Sequence, residues 1–314
     1  MSEQFIIIAK VLPVILLIII GHFLHRFRII KPGTIDDIKK LVVNLALPAL
    51  LFMAFADTSF ETRYLLIFLA VFMTCLFMLA AASLLRKPLG ISNRYWPALY
   101  SGFETGMMGY SIFVAVYGAA NINKIAIMDL GQVTFVFFVL ASVLKRTNGE
   151  TASAKELAVS FIKSPVILSI ILGMLAGLAG VLTLVRGNPA GDAVIETFGL
   201  LGGLTMPLIC LVIGYELRID LKNLARPFLT ALTRIIVLAG IAFVINKLLI
   251  GGLLGLDITY QIALYTLFIL PPPFVIPIFM SGKNEDDKQL VLNTISIHII
   301  LSLLAFMALI VLIK

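Results

Sequence analysis

The sequence predicts an all-α membrane protein with ten transmembrane helices arranged as two inverted five-helix repeats. Three observations predict it. Of the 314 residues, 61% are hydrophobic and 13% charged, against about 45–50% and about 25% in soluble domains. With a mean hydropathy of +1.08, the bilayer is the natural solvent. The apolar residues gather into ten runs, each near the roughly 20 residues a helix needs to cross hydrocarbon. Two local correspondences also relate the halves of the chain at nearly one offset.

The runs extend from Phe5 to Phe23, Ile35 to Ala56, Tyr64 to Leu85, Tyr95 to Tyr117 and Ile125 to Leu144. After a polar stretch they continue from Ile162 to Val185, Ala193 to Tyr215, Pro227 to Leu249, Ile258 to Met280 and Leu290 to Ile313. The first lacks a basic segment before it and a small-residue cleavage pattern after it, so it reads as a retained helix rather than a signal peptide. Eighteen of the 24 basic residues fall on one side of this arrangement, counting Arg234, and six on the other: Lys10, Arg63, Lys124, Arg186, Lys247 and Lys314. Positive charge marks the cytoplasmic side, so both termini are expected outside, in the plasma (cell inner) membrane. The net charge of +7 is then a statement of topology and needs no nucleic-acid partner. Cys75 and Cys210 stand alone within apolar runs and read as core residues.

The correspondences are Ala98-Leu99-Tyr100 with Phe103 against Ala263-Leu264-Tyr265 with Phe268, and Pro48 against Pro207, at offsets of 165 and 159. They divide the chain into a first repeat at 1–145, a cytoplasmic linker at 146–161 and a second repeat at 162–314. A unit with an odd number of spans must re-enter the membrane from the other side, so the repeat is inverted, an arrangement common in secondary transporters.

Such architectures place their site near the midplane on interrupted helices. In run nine, Pro271, Pro272 and Pro273 remove three successive backbone donors and clash with the preceding turn. An interruption is therefore expected between Leu270 and Pro277. At the 165 offset, run four carries Thr105-Gly106-Met107-Met108-Gly109-Tyr110-Ser111, where Gly106 and Gly109 predict a second break. Glu104 lies about ten residues into that run, and a carboxylate at midplane depth costs at least about 2.5–3.5 kcal/mol. It either binds a coupling proton or cation, or stays protonated and bonded to a helix carbonyl. Asp129 and Gln132 share a face of run five within reach of the break; Asp129 alternatively sits solvated near the outer end. Asn44, one turn before Pro48, faces a cavity or bonds within the bundle. Asn293, Ser296 and His298 suit helix-to-helix hydrogen bonds, and Gly173 with Gly177 suits intramolecular packing. Tyr95, Trp96 and Tyr100 suit an interfacial belt. No HExxH, GxSxG or phosphate-binding loop is present, so neither an enzyme nor an ATP-driven pump is expected, and no cofactor or metal is called for.

The run Asn44-Leu45-Ala46-Leu47-Pro48-Ala49-Leu50-Leu51-Phe52, the stretch from Gly106 to Val116-Tyr117-Gly118, Asp129-Leu130-Gly131-Gln132 and Pro271-Pro272 together resemble the auxin efflux carrier family, with the short central loop of its bacterial members. The likeness runs over the whole chain. It implies a sodium/proton-antiporter-like fold in which broken helices four and nine cross, with a scaffold and a transport domain. It also implies elevator-type transport of a small organic anion such as auxin, malonate or malate, commonly by homodimers. The binding and crossover residues would be Asn44, Pro48, Glu104, Thr105, Gly106, Gly109, Tyr110, Ser111, Gln132, Pro207, Pro271, Pro272, Pro273 and Pro277, with Glu104 and Asp129 for a coupling proton or sodium ion. Plant members carry asparagine where this chain has Glu104 and proline where it has Ser111, a difference that favours cation coupling. Bile-acid-type symport and cation/proton exchange are the neighbouring functions.

Overall fold

Large apolar side chains such as Phe77, Leu200, Ile236, Leu248 and Leu304 face outward, while Asp129, Gln132, Arg234, Asn293 and His298 are buried. That inversion of the soluble pattern is what a hydrocarbon solvent selects. The computed structural model describes residues 3–57, 61–150, 153–217, 224–280 and 285–312, with side chains of 3–11 and 285 left aside. Arg218, Lys222, Lys283 and Lys314 of the topology reading lie outside the described residues, as do both chain ends.

Every one of the ten apolar runs contains helix. Among the described residues, six helices are long and apolar enough to cross a membrane: Pro32–Ala56, Tyr64–Arg86, Ala119–Thr147, Pro189–Glu216, Ala225–Leu253 and Asp286–Leu312. The number is seven if Ala154–Ile162 and Pro165–Leu178 count as one bent span, and Leu12–Arg26 and Ile258–Ile269 are shorter apolar helices. The chain is a multi-pass membrane protein. Pro48 does not end its helix, because a π-helical turn at Val42–Ala46 precedes it and takes up the missing backbone donor. Asn44 is exposed and donates to Lys40 O of its own helix at 2.7 Å.

The chain folds as two compact units, each drawn from both halves of the sequence. The first comprises Met1–Tyr64, Gly106–Ala126 and Ile162–Leu217. Within it, runs one and seven pack backbone to backbone: a Cβ at Gly21 would stand 2.2 Å from Leu211 O, and one at Gly214 1.9 Å from Ile18 O. Gly173 meets Phe52 in the same way, with 2.6 Å to its carbonyl oxygen, which is the intramolecular packing expected of it. Ile35, Val212 and Tyr215 close one end of this core, beside a Lys39–Glu216 ion pair.

The second unit comprises Leu65–Thr105, Ile127–Phe161 and Arg218–Lys314. Its run-eight helix packs on runs nine and ten. Trp96 is buried and donates from Nε1 to Thr230 Oγ1 at 3.2 Å, and the Tyr100 hydroxyl lies 2.7 Å from Thr233 Oγ1. Tyr95 donates to Asn148 Oδ1, whose amide donates in turn to Phe279 O. These aromatic residues anchor segments of the unit to one another through their polar tips.

Candidate functional site: two interrupted helices

Run nine breaks where the prolines require it. Helix Ile258–Ile269 ends with Leu270 in extended geometry, Pro271, Pro272 and Pro273 are irregular, and a short 3₁₀ turn follows at Ile276–Phe279, with Pro277 at its start. An α-helix satisfies each carbonyl with the amide four residues on, and prolines at 271–273 leave the last turn without those donors. Two side chains and one backbone amide of the same unit serve the carbonyls at and just past this end. Ser302 Oγ donates to Ile269 O, Arg234 Nη1 donates to Leu270 O, and the Glu104 amide donates to Pro271 O at 2.9 Å.

Run four breaks four residues earlier than the glycines suggested. A 3₁₀ turn at Trp96–Tyr100 gives way to an irregular stretch at 101–104, and helical geometry resumes at Thr105 as a π-helical turn that leads into Tyr110–Tyr117. Gly106 and Gly109 therefore lie inside the resumed helix. Gly102 makes the break: its φ is +69°, a backbone state costly to any residue with a Cβ. A Cβ there would also stand 2.8 Å from Pro273 Cγ. The two irregular stretches thus pass against each other.

The electrostatics follow from which helix ends meet. Arg234 is fully buried, with Nη1 on Leu270 O, Nη2 on Gly102 O, and its guanidinium 5.2 Å from the centre of the Phe103 ring. Leu270 and Gly102 lie at or just past the C-terminal ends of the first halves of runs nine and four. Each helix C-terminus carries about half a negative charge, less for so short a turn as 96–100, so the two together offset much of the guanidinium charge. Among the described residues no carboxylate lies within ion-pair distance of Arg234.

Glu104 takes the opposite place. It precedes the N-terminal turn of the second half of run four, and its Oε2 accepts from the Phe274 amide at 2.7 Å, where the second half of run nine begins. Helix N-termini favour a carboxylate as C-termini favour a cation. Gln132 joins the arrangement: Oε1 accepts from the Phe103 amide at 3.2 Å and Nε2 donates to Asp129 Oδ1 at 3.0 Å. Asp129 is 4% exposed, so it belongs to this buried network and not to a solvated outer end. The buried Thr105 hydroxyl has no hydrogen-bond partner.

The first unit holds the remaining candidates. Tyr110 and Ser111 line a cavity of about 370 Å³, with Leu50, Met53, Asp57, Asn123, Phe198, Thr205 and Met206 among its walls. Ser111 and Thr205 are 1% exposed, and their hydroxyls lie buried beneath its wall without a hydrogen-bond partner. At its rim Asp57 pairs with Arg186 at 3.0 Å. Pro207 sits two residues beyond Thr205 in the helix of run seven, and neither it, Pro48 nor Asn44 lines the cavity. Glu104, Thr105, Asp129, Gln132 and the run-nine prolines thus gather at the breaks of the second unit and Tyr110 and Ser111 at the cavity of the first, while Asn44, Pro48 and Pro207 belong to neither. Arg234, Gly102, His298 and Ser302 are additions to the site. The polar residues among them were visible as polar atoms within apolar runs, but their partners were not.

A multi-pass helical protein with two interrupted helices, buried charges at their ends and an apolar cavity lined by unpaired hydroxyls is of the membrane-transport class. Residues 6–310 match the family described as membrane transport protein. The chain belongs to that family, the auxin efflux carrier family. It is 24% identical over 308 residues to an "Uncharacterized transporter" of Methanothermobacter thermautotrophicus, covering 94% of each chain. It is 23% identical over 216 residues to "Uncharacterized transporter MJ1031" of Methanocaldococcus jannaschii, covering 66% of this chain and 68% of the other.

Proposed function

We propose that the protein is a secondary active transporter that carries a small organic anion, a carboxylate such as malonate, malate or an auxin-like acid, across the plasma membrane by elevator-type alternating access. The hydrogen-bonded meeting of the two interrupted runs carries this reading. It holds the Glu104 carboxylate at the start of the resumed run-four helix and on the Phe274 amide, and the Arg234 guanidinium on the carbonyls that end the first halves of both runs. Two compact units drawn from both sequence halves support an inverted ten-helix repeat of the sodium/proton-antiporter-like kind, with one unit as scaffold and the other as transport body.

The cavity supplies what a small carboxylic acid needs. Leu50, Met53, Phe198 and Met206 suit a carbon skeleton, and the Ser111 and Thr205 hydroxyls, unpartnered beneath its wall, would donate to carboxylate oxygens once turned into it. Its volume falls in the range of small-molecule sites. Glu104 and Asp129 are the groups for a coupling proton or sodium ion, and the position of Glu104 favours cation-coupled symport over uniport. Cation/proton exchange is the weaker reading, because such exchange calls for a stronger constellation of carboxylates at the midplane than Glu104 and Asp129 supply. Both termini outside, and assembly as a homodimer, complete the proposal.

The test is uptake by the purified protein in proteoliposomes. Dicarboxylates and indole acids are offered with and without sodium, at several pH values, to the native chain and Glu104→Gln. Saturable anion uptake that depends on the cation gradient is expected, with the gradient dependence lost in E104Q. Binding of cations alone would overturn the anion reading, and an unchanged gradient dependence in E104Q would remove Glu104 from coupling.

A further inference from the structure

We infer that His298 is a positioning residue that orients Arg234 across the two breaks, and that it does so as a neutral ring with its proton on Nδ1. His298 is fully buried, in the run-ten helix Glu285–Leu312. Its Nε2 lies 2.9 Å from Arg234 Nη1 and its Nδ1 lies 3.0 Å from Ser302 Oγ, one helical turn further on. Ser302 Oγ in turn contacts Ile269 O.

The direction of every proton in this chain is fixed from its ends. A guanidinium only donates, so Nε2 must accept. A carbonyl only accepts, so the Ser302 hydroxyl spends its hydrogen on Ile269 O and must accept from the ring. The histidine is left with one arrangement, protonated at Nδ1 and bare at Nε2. A proton on Nε2 would set two donors against each other at 2.9 Å.

This chain has consequences at the site because of what its two ends hold. Arg234 and Ser302 serve consecutive carbonyls, Leu270 O and Ile269 O: Pro273 lacks the amide that would serve Ile269 O, and the Phe274 amide that would serve Leu270 O donates to Glu104 Oε2 instead. His298 links the two donors, so the end of the first half of run nine is held by one connected unit rather than by two independent side chains. The Arg234 Nε–H has no partner, so Nη1 and Nη2 alone fix its plane, and Nη1 is shared between Leu270 O and His298. Removing the acceptor at Nε2 lets the guanidinium rotate away from Gly102 O and Leu270 O without emptying the space it occupies.

Two measurements test this, and only the second rests on the transporter reading above. The full chain carries three histidines, His22, His25 and His298, so nitrogen-15 histidine labelling of the detergent-solubilised protein gives few signals, and His298→Gln identifies the one that matters. At neutral pH the native ring is expected to show a protonated Nδ1 and a bare, hydrogen-bonded Nε2. In Arg234→Met, which removes the donor, Nδ1 is expected to stay protonated toward Ser302 while the bare Nε2 loses its hydrogen-bonded shift. A native ring protonated on Nε2, or doubly protonated, would overturn the inference whatever the protein carries.

The second measurement compares uptake by His298→Phe and His298→Gln at matched amounts of folded protein. Phenylalanine fills the space without an acceptor, and a fall of roughly tenfold or more is expected. Glutamine restores an acceptor near Nε2, and a rate within about threefold of the native chain is expected. A folded H298F at the native rate, or a folded H298Q as slow as H298F, would each overturn the positioning role. If neither variant folds, the tautomer of the native ring decides the matter, and if no substrate is found the same measurement stands by itself.

Discussion

Replacing Gly102 with alanine tests the geometry of the run-four break. Two costs add at this position. The backbone is at φ +69°, and a Cβ there costs about 1–2 kcal/mol. The new methyl would also lie 2.8 Å from Pro273 Cγ and 3.3 Å from Val136 Cγ2. The first neighbour is part of a proline ring that cannot swing aside, so this overpacking costs about 1–3 kcal/mol more. The sum is about 2–5 kcal/mol. Gly90 supplies the control, since its φ is +65° but nothing lies within 4 Å of its would-be Cβ. Gly90→Ala should therefore show only the backbone cost of about 1–2 kcal/mol. Equilibrium unfolding of both variants in mixed micelles, each against the native protein, isolates the contact with Pro273 as the difference. Equal destabilisation of G102A and G90A would refute the close passage of the two interrupted stretches.

Arg234→Met should lower stability by roughly 2–6 kcal/mol in the same assay, because Gly102 O and Leu270 O each lose a buried donor at about 1–3 kcal/mol; a loss below about 1 kcal/mol would mean that water replaces the guanidinium. Gln132→Leu strands the Phe103 amide and one Asp129 interaction, and a loss of about 1–3 kcal/mol is expected. In contrast, Ser111→Ala and Thr205→Ala each delete a buried hydroxyl that has no partner, so stability should hold or rise by up to about 1 kcal/mol while anion affinity falls. Equal affinity in both variants, measured by ligand-induced thermal shift, would take the cavity hydroxyls out of binding.

The parts of this molecule that could be read from the sequence are those whose physics is local. Three prolines in a row forbid a helix ladder in any surroundings, so the run-nine interruption was legible to within a residue. Gln132 and Asp129, three apart on one helix, share a face by geometry alone, and Gln132 does reach the run-four break. Glycine is different, because its meaning depends on what lies opposite. Gly106 and Gly109 sit within helix, whereas Gly102, earlier in the same run, takes the left-handed backbone because Pro273 fills the space a side chain would need. Arg234 was placed among the residues of the cytoplasmic side, and its burial between two carbonyl ends depends on contacts 132 and 36 residues away. His298 is legible as bonding between helices, but its place in a single proton chain with Ser302, which nothing in the sequence singles out, emerges only once Arg234 and Ile269 stand at the two ends. Trp96 carried an interfacial signature, and a buried threonine 134 residues on accounts for it instead.

The placement of Arg234 also constrains how the protein can be made. Of the groups that hold its guanidinium, Gly102 precedes it in the chain, and Leu270 and His298 follow it. During synthesis run eight must leave the translocon with an arginine whose cost at the bilayer centre would be about 2.5–3.5 kcal/mol, while two of these three partners do not yet exist. An early docking of run eight onto the Gly102 carbonyl would shelter the charge until runs nine and ten arrive. A ribosome-stalled chain ending between runs eight and nine should then insert run eight less efficiently when run four is deleted, which makes the order of translation itself part of how this site is assembled.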